Sequence, residues 1–392
     1  MNTQNTPVHI HLWHRDFWLM AISNLLLSAA VCILIPVLPR WLMETENFSA
    51  VETGLSMAAF GAGLFLLGCL TSFLVQHYRR NIACIWAILL MGLSLGALYY
   101  LDHQKTAFCG FTAILLQRLA FGATFGLAQM ILTSTLIIDT CESFQRTEAN
   151  HSASWFGRFA LSIGPMTGIL VDRYLGFGTV VLVAIGCALA AVVLILMVHF
   201  PFRAPEDDIS VTSLDRFFLP QGWPLFVNLV LITFVVGLLL STELSEQFYA
   251  MMMVGFLMAL VAQRFVFRDA ELKSEVVSGL VLIGAALLML LTRQQAVVGF
   301  AAPLFVGFGL GIIGSRFLLF FIKLSRHCQR GTSQSTFMLG WESGLAFGLG
   351  AGYAFFAGCP DRLLQLALVV TMVSLLLYNF LTHRWFLTHK NR

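Results

Sequence analysis

Four ionisable side chains, Arg118, Arg158, Arg316 and Glu342, stand inside runs of apolar residues. A charge at the centre of a hydrocarbon layer costs about 2.5–3.5 kcal/mol on insertion scales, so each needs a partner, water or a task. Glu342 is the one acidic residue well inside any such run. A carboxyl group shielded from water can take up or release a proton as its surroundings change, which is the chemistry of a proton-coupling site. Arg316 lies at similar depth in the preceding run, and an ion pair between the two would make both structural instead. Arg118 offers a cation either to an anionic group of a substrate or to neighbouring backbone carbonyls. Arg158, near the end of its run, either reaches Asp139 or Glu142 as a gate latch or extends its head to the surface. Among uncharged groups, Asn24, Ser28, Gln129, Thr133, Asn228 and Thr233 serve as substrate contacts or as polar links between helices.

The elements that must carry these groups follow from composition. Of 392 residues, 58% are hydrophobic and 11% charged, against about 25% charged in a soluble domain. The surface therefore faces lipid. The net charge of +3 comes without any basic run, which excludes nucleic acid as a partner. Eight scattered cysteines without a C-x-x-C pair read as small buried hydrophobes, so neither a metal nor another cofactor is expected. No H-E-x-x-H, G-x-S-x-G or Walker A pattern is present, and the expectation is neither an enzyme nor an ATP-driven pump. The polar first 15 residues lead into about 25 apolar ones, too long a stretch for a signal-peptide core.

A helix needs about 20 apolar residues to cross a bilayer. Twelve candidate runs meet that need: 17–41, 51–75, 82–101, 107–136, 152–171, 177–200, 223–240, 248–267, 276–291, 296–322, 336–357 and 363–387. Runs such as 180–198 lack the alternation of a membrane β-barrel. An even count puts both termini on one face. Of the 23 Lys and Arg, 15 fall on that face and 5 on the other, which predicts cytoplasmic termini in an inner or plasma membrane.

The segment 201–222 is long and charged. It divides the chain into an N-terminal six-helix unit, 1–200, and a C-terminal one, 223–392, joined by a cytoplasmic linker. Within it, residues 215–219 are expected to lie along the membrane surface. The units echo one another: Val75-Gln76-His77-Tyr78 against Ala262-Gln263-Arg264-Phe265, and Gln145-Arg146-Thr147 with Trp155 and Gly164 against Gln329-Arg330 and Thr332 with Trp341 and Gly350.

Three local motifs carry a resemblance. Ser72 to Asn81 is similar to the loop Gly-x-Leu-Ala-Asp-Arg-x-Gly-Arg-Lys of the major facilitator superfamily of secondary transporters, keeping Leu74 and Arg80 but placing Ser72 and Gln76 where that loop has glycine and aspartate. The fourth run holds Arg118-x-x-x-Gly122-x-x-x-Gly126, and the fifth Gly164-Pro165-x-x-Gly168; both resemble motifs of the same helices in that family. The resemblance implies an all-α fold of twelve membrane helices in two six-helix bundles. It implies a cavity lined by helices 1, 4, 7 and 10, and conformational roles for Arg80, Asp139, Arg158, Gly122, Gly126, Gly164, Pro165 and Gly168. The expected function is secondary active transport of a small molecule by alternating access. Arg118, Asn24, Gln129, Asn228 and Arg316 would touch substrate and Glu342 would couple protons, in a monomer surrounded by lipid. Three deep arginines against one glutamate favour an anionic or zwitterionic metabolite. A drug/proton antiporter and a non-transporting receptor of the same fold are the alternatives.

Overall fold

The computed structural model describes residues 11–103, 110–200, 210–267, 271–293 and 295–391. Lys105, Cys109, Arg203, Arg268, Arg392 and the first nine residues of the linker lie outside this set.

In hydrocarbon, backbone N–H and C=O groups must be satisfied within the segment, and the chain answers with helices. Twelve long ones succeed each other: α1 (Arg15–Glu44), α2 (Ala50–His77), α3 (Arg80–His103), α4 (Phe111–Asp139), α5 (Arg146–Leu175), α6 (Phe177–Leu196), α7 (Pro220–Leu240), α8 (Glu246–Phe265), α9 (Leu272–Thr292), α10 (Val298–Leu324), α11 (Arg330–Phe356) and α12 (Pro360–His389). Among the described residues, ten of these are long and apolar enough to cross a membrane. The remaining two, α5 and α11, have 30 and 27 residues; they are long enough but more polar, and they occupy equivalent positions in the two halves of the sequence.

Local sequence sets the ends and breaks. Ser49 and Glu52 close a capping box at the start of α2, each satisfying the other's backbone N–H. α1 is interrupted over residues 33–36, where Pro36 brings no N–H to the ladder. Gly164 and Gly168 of α5 face this break: a Cβ at Gly164 would stand 2.7 Å from that of Cys32, and one at Gly168 would strike the Ile33 carbonyl. The Gly-Pro motif therefore fits α5 onto the bent part of α1. Gly122 and Gly126 likewise meet the backbone of α2 at Phe60 and Leu64. All four glycines join helices of the same half.

The packing repeats with an offset of six helices. α1 packs on α5 and α6, α2 on α4, and α3 on α4 and α6; α7 packs on α11 and α12, α8 on α10, and α9 on α10 and α12. The halves meet through α2 on α11, α5 on α8 and α10, and α4 on α11. On the face away from the termini, Gly54 and Gly350 bring the backbones of α2 and α11 together, and Arg173 grips the Glu246 carboxylate with two bonds of 2.8 and 2.9 Å.

Residues 215–219 do not lie on the membrane surface. They form a turn tucked between the terminal-face ends of α2 and α11. Asp215 accepts from Thr332 Oγ1 at 2.9 Å and from Ser72 Oγ at 3.4 Å. The backbone N–H groups of Arg216 and Leu219 donate to Thr332 and Thr336, each at 2.8 Å. The Phe217 ring fills the space over Gly68. Polar backbone that would go unsatisfied at a lipid surface finds hydroxyl partners here, and the aromatic rings find protein.

Candidate functional site

A small cavity of about 40 Å³ lies where the halves meet. It is lined by Asn24 and Ser28 of α1, Gln129 and Thr133 of α4, Ser154, Gly157 and Arg158 of α5, and Gln334, Phe337, Met338, Trp341 and Glu342 of α11. The lining thus comes from α1, α4, α5 and α11, whereas helices 7 and 10 were expected beside 1 and 4. The two most polar spans supply more than half of the wall.

On the α1/α4 side the hydrogen bonds fix the amides. Asn24 donates from Nδ2 to the Ala153 carbonyl at 2.8 Å, and a carbonyl can only accept. Asn24 Oδ1 must therefore be the acceptor for Gln129 Nε2 at 2.6 Å. That leaves Gln129 Oε1 without a partner among the described residues, although the residue is only 5% exposed.

Arg158 spans the junction. Its Nη1 donates to Gly311 O at 2.9 Å and to Ser315 Oγ at 2.8 Å, both on α10, while Nη2 and Nε bond Ser154 on its own helix. Trp155 lies under the guanidinium at 4.1 Å, a cation–π contact. Gly314 gives room: a Cβ there would come within 3.1 Å of both the Arg158 chain and Trp341. Arg158 therefore ties α5 to α10 and does not reach Asp139. That carboxylate bonds Arg80 at 2.5 Å, joining α3 to α4 within one half.

Across from Arg158, Glu342 has no hydrogen bond or ion pair among the described residues. Arg316 does not pair with it. Arg316 binds Glu275, which is fully buried in the first turn of α9. Counting the ninth span from residue 276 leaves this partner just outside, but the helix begins at Leu272 because polar residues prolong it beyond its apolar run. Glu275 is thus a second buried carboxylate, legible only once the helix boundary is known.

Two more expected contacts belong elsewhere. Arg118, 3% exposed, lies between the rings of Phe60 and Phe121, each 5.2 Å from its guanidinium. Its Nε and Nη1 find no hydrogen-bond partner among the described residues. Gln129 is 11 residues farther along α4, about 16 Å at helical rise, so Arg118 does not line the cavity. Asn228 donates to Ser374 O at 3.1 Å and holds α7 to α12. Gln334, Phe337 and Met338 were not singled out from the sequence. The signal available was the spacing Gln334-x-x-x-Met338-x-x-x-Glu342, which puts all three on one helix face.

The buried Glu275–Arg316 pair gives a stability prediction. Arg316→Met leaves the Glu275 carboxylate uncompensated and is expected to cost about 3 kcal/mol, most of it recovered by adding Glu275→Leu. Thermal unfolding of the purified variants checks this, and equal losses in the single and double variants would count against the pairing as the cause.

The comparisons with known proteins agree with this architecture. Among solved structures, the human organic anion transporter MFSD10 superposes with a TM-score of 0.66 at 16% identity, covering 92% of this chain and 98% of that one. A bacterial homologue of the human lysosomal transporter Spinster, inward-facing and unoccupied, gives 0.67 at 15%, covering 96% and 98%. An auto-inhibited peptide transporter of the POT family gives 0.67 at 11%, covering 94% and 97%. No curated protein sequence matches significantly. Identities this low establish a shared fold and carry no substrate. The family model described as Major Facilitator Superfamily matches residues 20–349, most of the chain, and the protein is a multi-pass membrane protein belonging to that superfamily of transporters.

Proposed function

We propose that the protein is a proton-coupled secondary transporter that exposes the Asn24–Glu342 cavity alternately to the two sides of an inner or plasma membrane. The units 1–200 and 223–392 rock about the junction, with both termini in the cytoplasm. The observation that carries this reading is the placement of Arg158 and Glu342, from the corresponding helices α5 and α11, in one cavity between the halves. A cavity so placed changes its access when the halves tilt. Closure on the terminal face rests on Arg158 against Gly311 and Ser315 and on the Asp215 turn; closure on the opposite face rests on Gly54 against Gly350 and on Arg173 with Glu246.

Glu342 carries the proton because it is the acidic residue of the cavity lining and makes no ion pair among the described residues, the Arg158 guanidinium being bonded to Ser154, Gly311 and Ser315. The case for a purely anionic substrate rested on three deep arginines, of which only Arg158 lines the cavity. A zwitterion, with its cationic end toward Glu342 and its anionic end toward the single N–H that Arg158 has left, fits the lining better. The protein works as a monomer in this reading, since one chain supplies the whole site. The test is accumulation in proteoliposomes. A solute found by thermal-shift screening of metabolites and drugs accumulates when a pH gradient is imposed and stops when the gradient is collapsed. Binding without any movement would favour a non-transporting receptor.

A further inference from the structure

Two acceptors of the cavity wall stand unpaired among the described residues. Glu342 presents a carboxylate with no hydrogen-bond or ion-pair partner among the described residues, and Gln129 holds an unpaired Oε1, whose orientation the Asn24–Ala153 bond fixes. Gln334, 4% exposed, makes no hydrogen bond among the described residues, so its amide is free to turn Oε1 toward a donor. The one cation present is spent: four of the five guanidinium N–H donors of Arg158 already bond Ser154, Gly311 and Ser315, and its face is covered by Trp155. Buried acceptors without donors are costly, so a site of this kind is completed by a ligand that donates.

We infer that the cavity recognises a protonated primary amine, with the ammonium group held among Glu342, Gln129 Oε1 and Gln334 Oε1 and the adjoining carbon chain against Phe337, Met338 and Trp341. An ammonium carries three N–H donors and no acceptor, so it can bond the Glu342 carboxylate, Gln129 Oε1 and, once that amide is turned, Gln334 Oε1. The charge-assisted bond to Glu342 is the strongest of the three, and the Trp341 ring adds a favourable face for a cation. A carboxylate in the same position would meet Glu342 as a like charge and would find one free N–H on Arg158. The inference rests on reading this cavity as the substrate site and names the group that the site selects.

The test uses the purified full chain and three probes of similar size: propylammonium, propionate and propanol. Binding is followed by tryptophan fluorescence, since Trp341 lines the cavity, and by thermal shift. Propylammonium is expected to bind, with propionate and propanol at least tenfold weaker. Glu342→Gln should weaken propylammonium binding about tenfold. Gln334→Glu adds a second carboxylate to a residue that makes no hydrogen bond of its own, and should tighten it. Preferential binding of propionate, equal responses to the three probes, no response to any of them, or an unchanged affinity in both variants would each overturn the assignment. Ammonium binding without transport would sink the transporter reading and leave this one standing. Gradient-driven uptake of a carboxylate with no amine binding would do the reverse.

Discussion

Glu342→Gln abolishes uphill accumulation of solute under an imposed pH gradient and preserves exchange of labelled for unlabelled solute when both sides are saturating. The substitution keeps the size and shape of the side chain and removes its ability to exchange a proton. Among the cavity-lining residues no other carboxylate can replace it; Asp139 and Glu275 are taken up by Arg80 and Arg316. A one-unit pH gradient supplies about 1.4 kcal/mol per proton, or up to tenfold accumulation for one proton per solute. The variant should fall to a ratio near one, because a carrier without a coupling ion can only equilibrate. Saturating solute matters, since the same carboxylate contributes to binding. Accumulation at the wild-type ratio in this variant would reject the coupling role, and loss of exchange even at saturation would place Glu342 in the conformational cycle itself.

Much of the architecture was legible because lipid simplifies the physics. Twelve apolar runs could only become helices, and twelve long helices are what the described residues form. Side-chain partnerships were another matter. Depth along a span placed Arg316 level with Glu342, but depth does not say which way a side chain points, and Arg316 turns to Glu275 on α9. The same limit applied to Arg118 and Asn228, both buried against neighbouring helices away from the cavity. Asn24 and Gln129 were found at the cavity, and their mutual bond could not have been read from positions 105 residues apart. The lower hydropathy of α5 and α11, which a count of apolar runs passes over, is the signal in the sequence that went unread. Helices that give up hydropathy in a membrane do so where they face polar surroundings, and these two form much of the cavity wall.

A second expectation concerns the junction itself. Gly340, Gly344, Gly348 and Gly352 recur every four residues along α11, and such stripes let helix backbones approach closely. Three of them face α7 within the same half: Gly340 meets Phe226 and Leu229, Gly344 meets Thr233, and Gly348 meets Gly237. Gly350 points the other way, to α2. A Cβ there would stand 2.7 Å from the Gly54 carbonyl and 2.8 Å from the Ala58 Cβ. Neither neighbour is a flexible side-chain tip, so the halves must separate on that face to admit one. Gly350→Val should therefore fold, because packing within each half is untouched, yet fail to close away from the termini. In a background lacking reactive native cysteines, Ser28→Cys at the cavity then becomes at least tenfold more reactive toward an impermeant thiol reagent applied from that side, and turnover falls by a similar factor or more. Gly96→Val, at a position with nothing within 4 Å, is the matched control and should change neither. Unaltered labelling in the Gly350 variant would mean that α2 and α11 do not separate during the cycle, and the rocking motion would have to be sought at another contact between the halves.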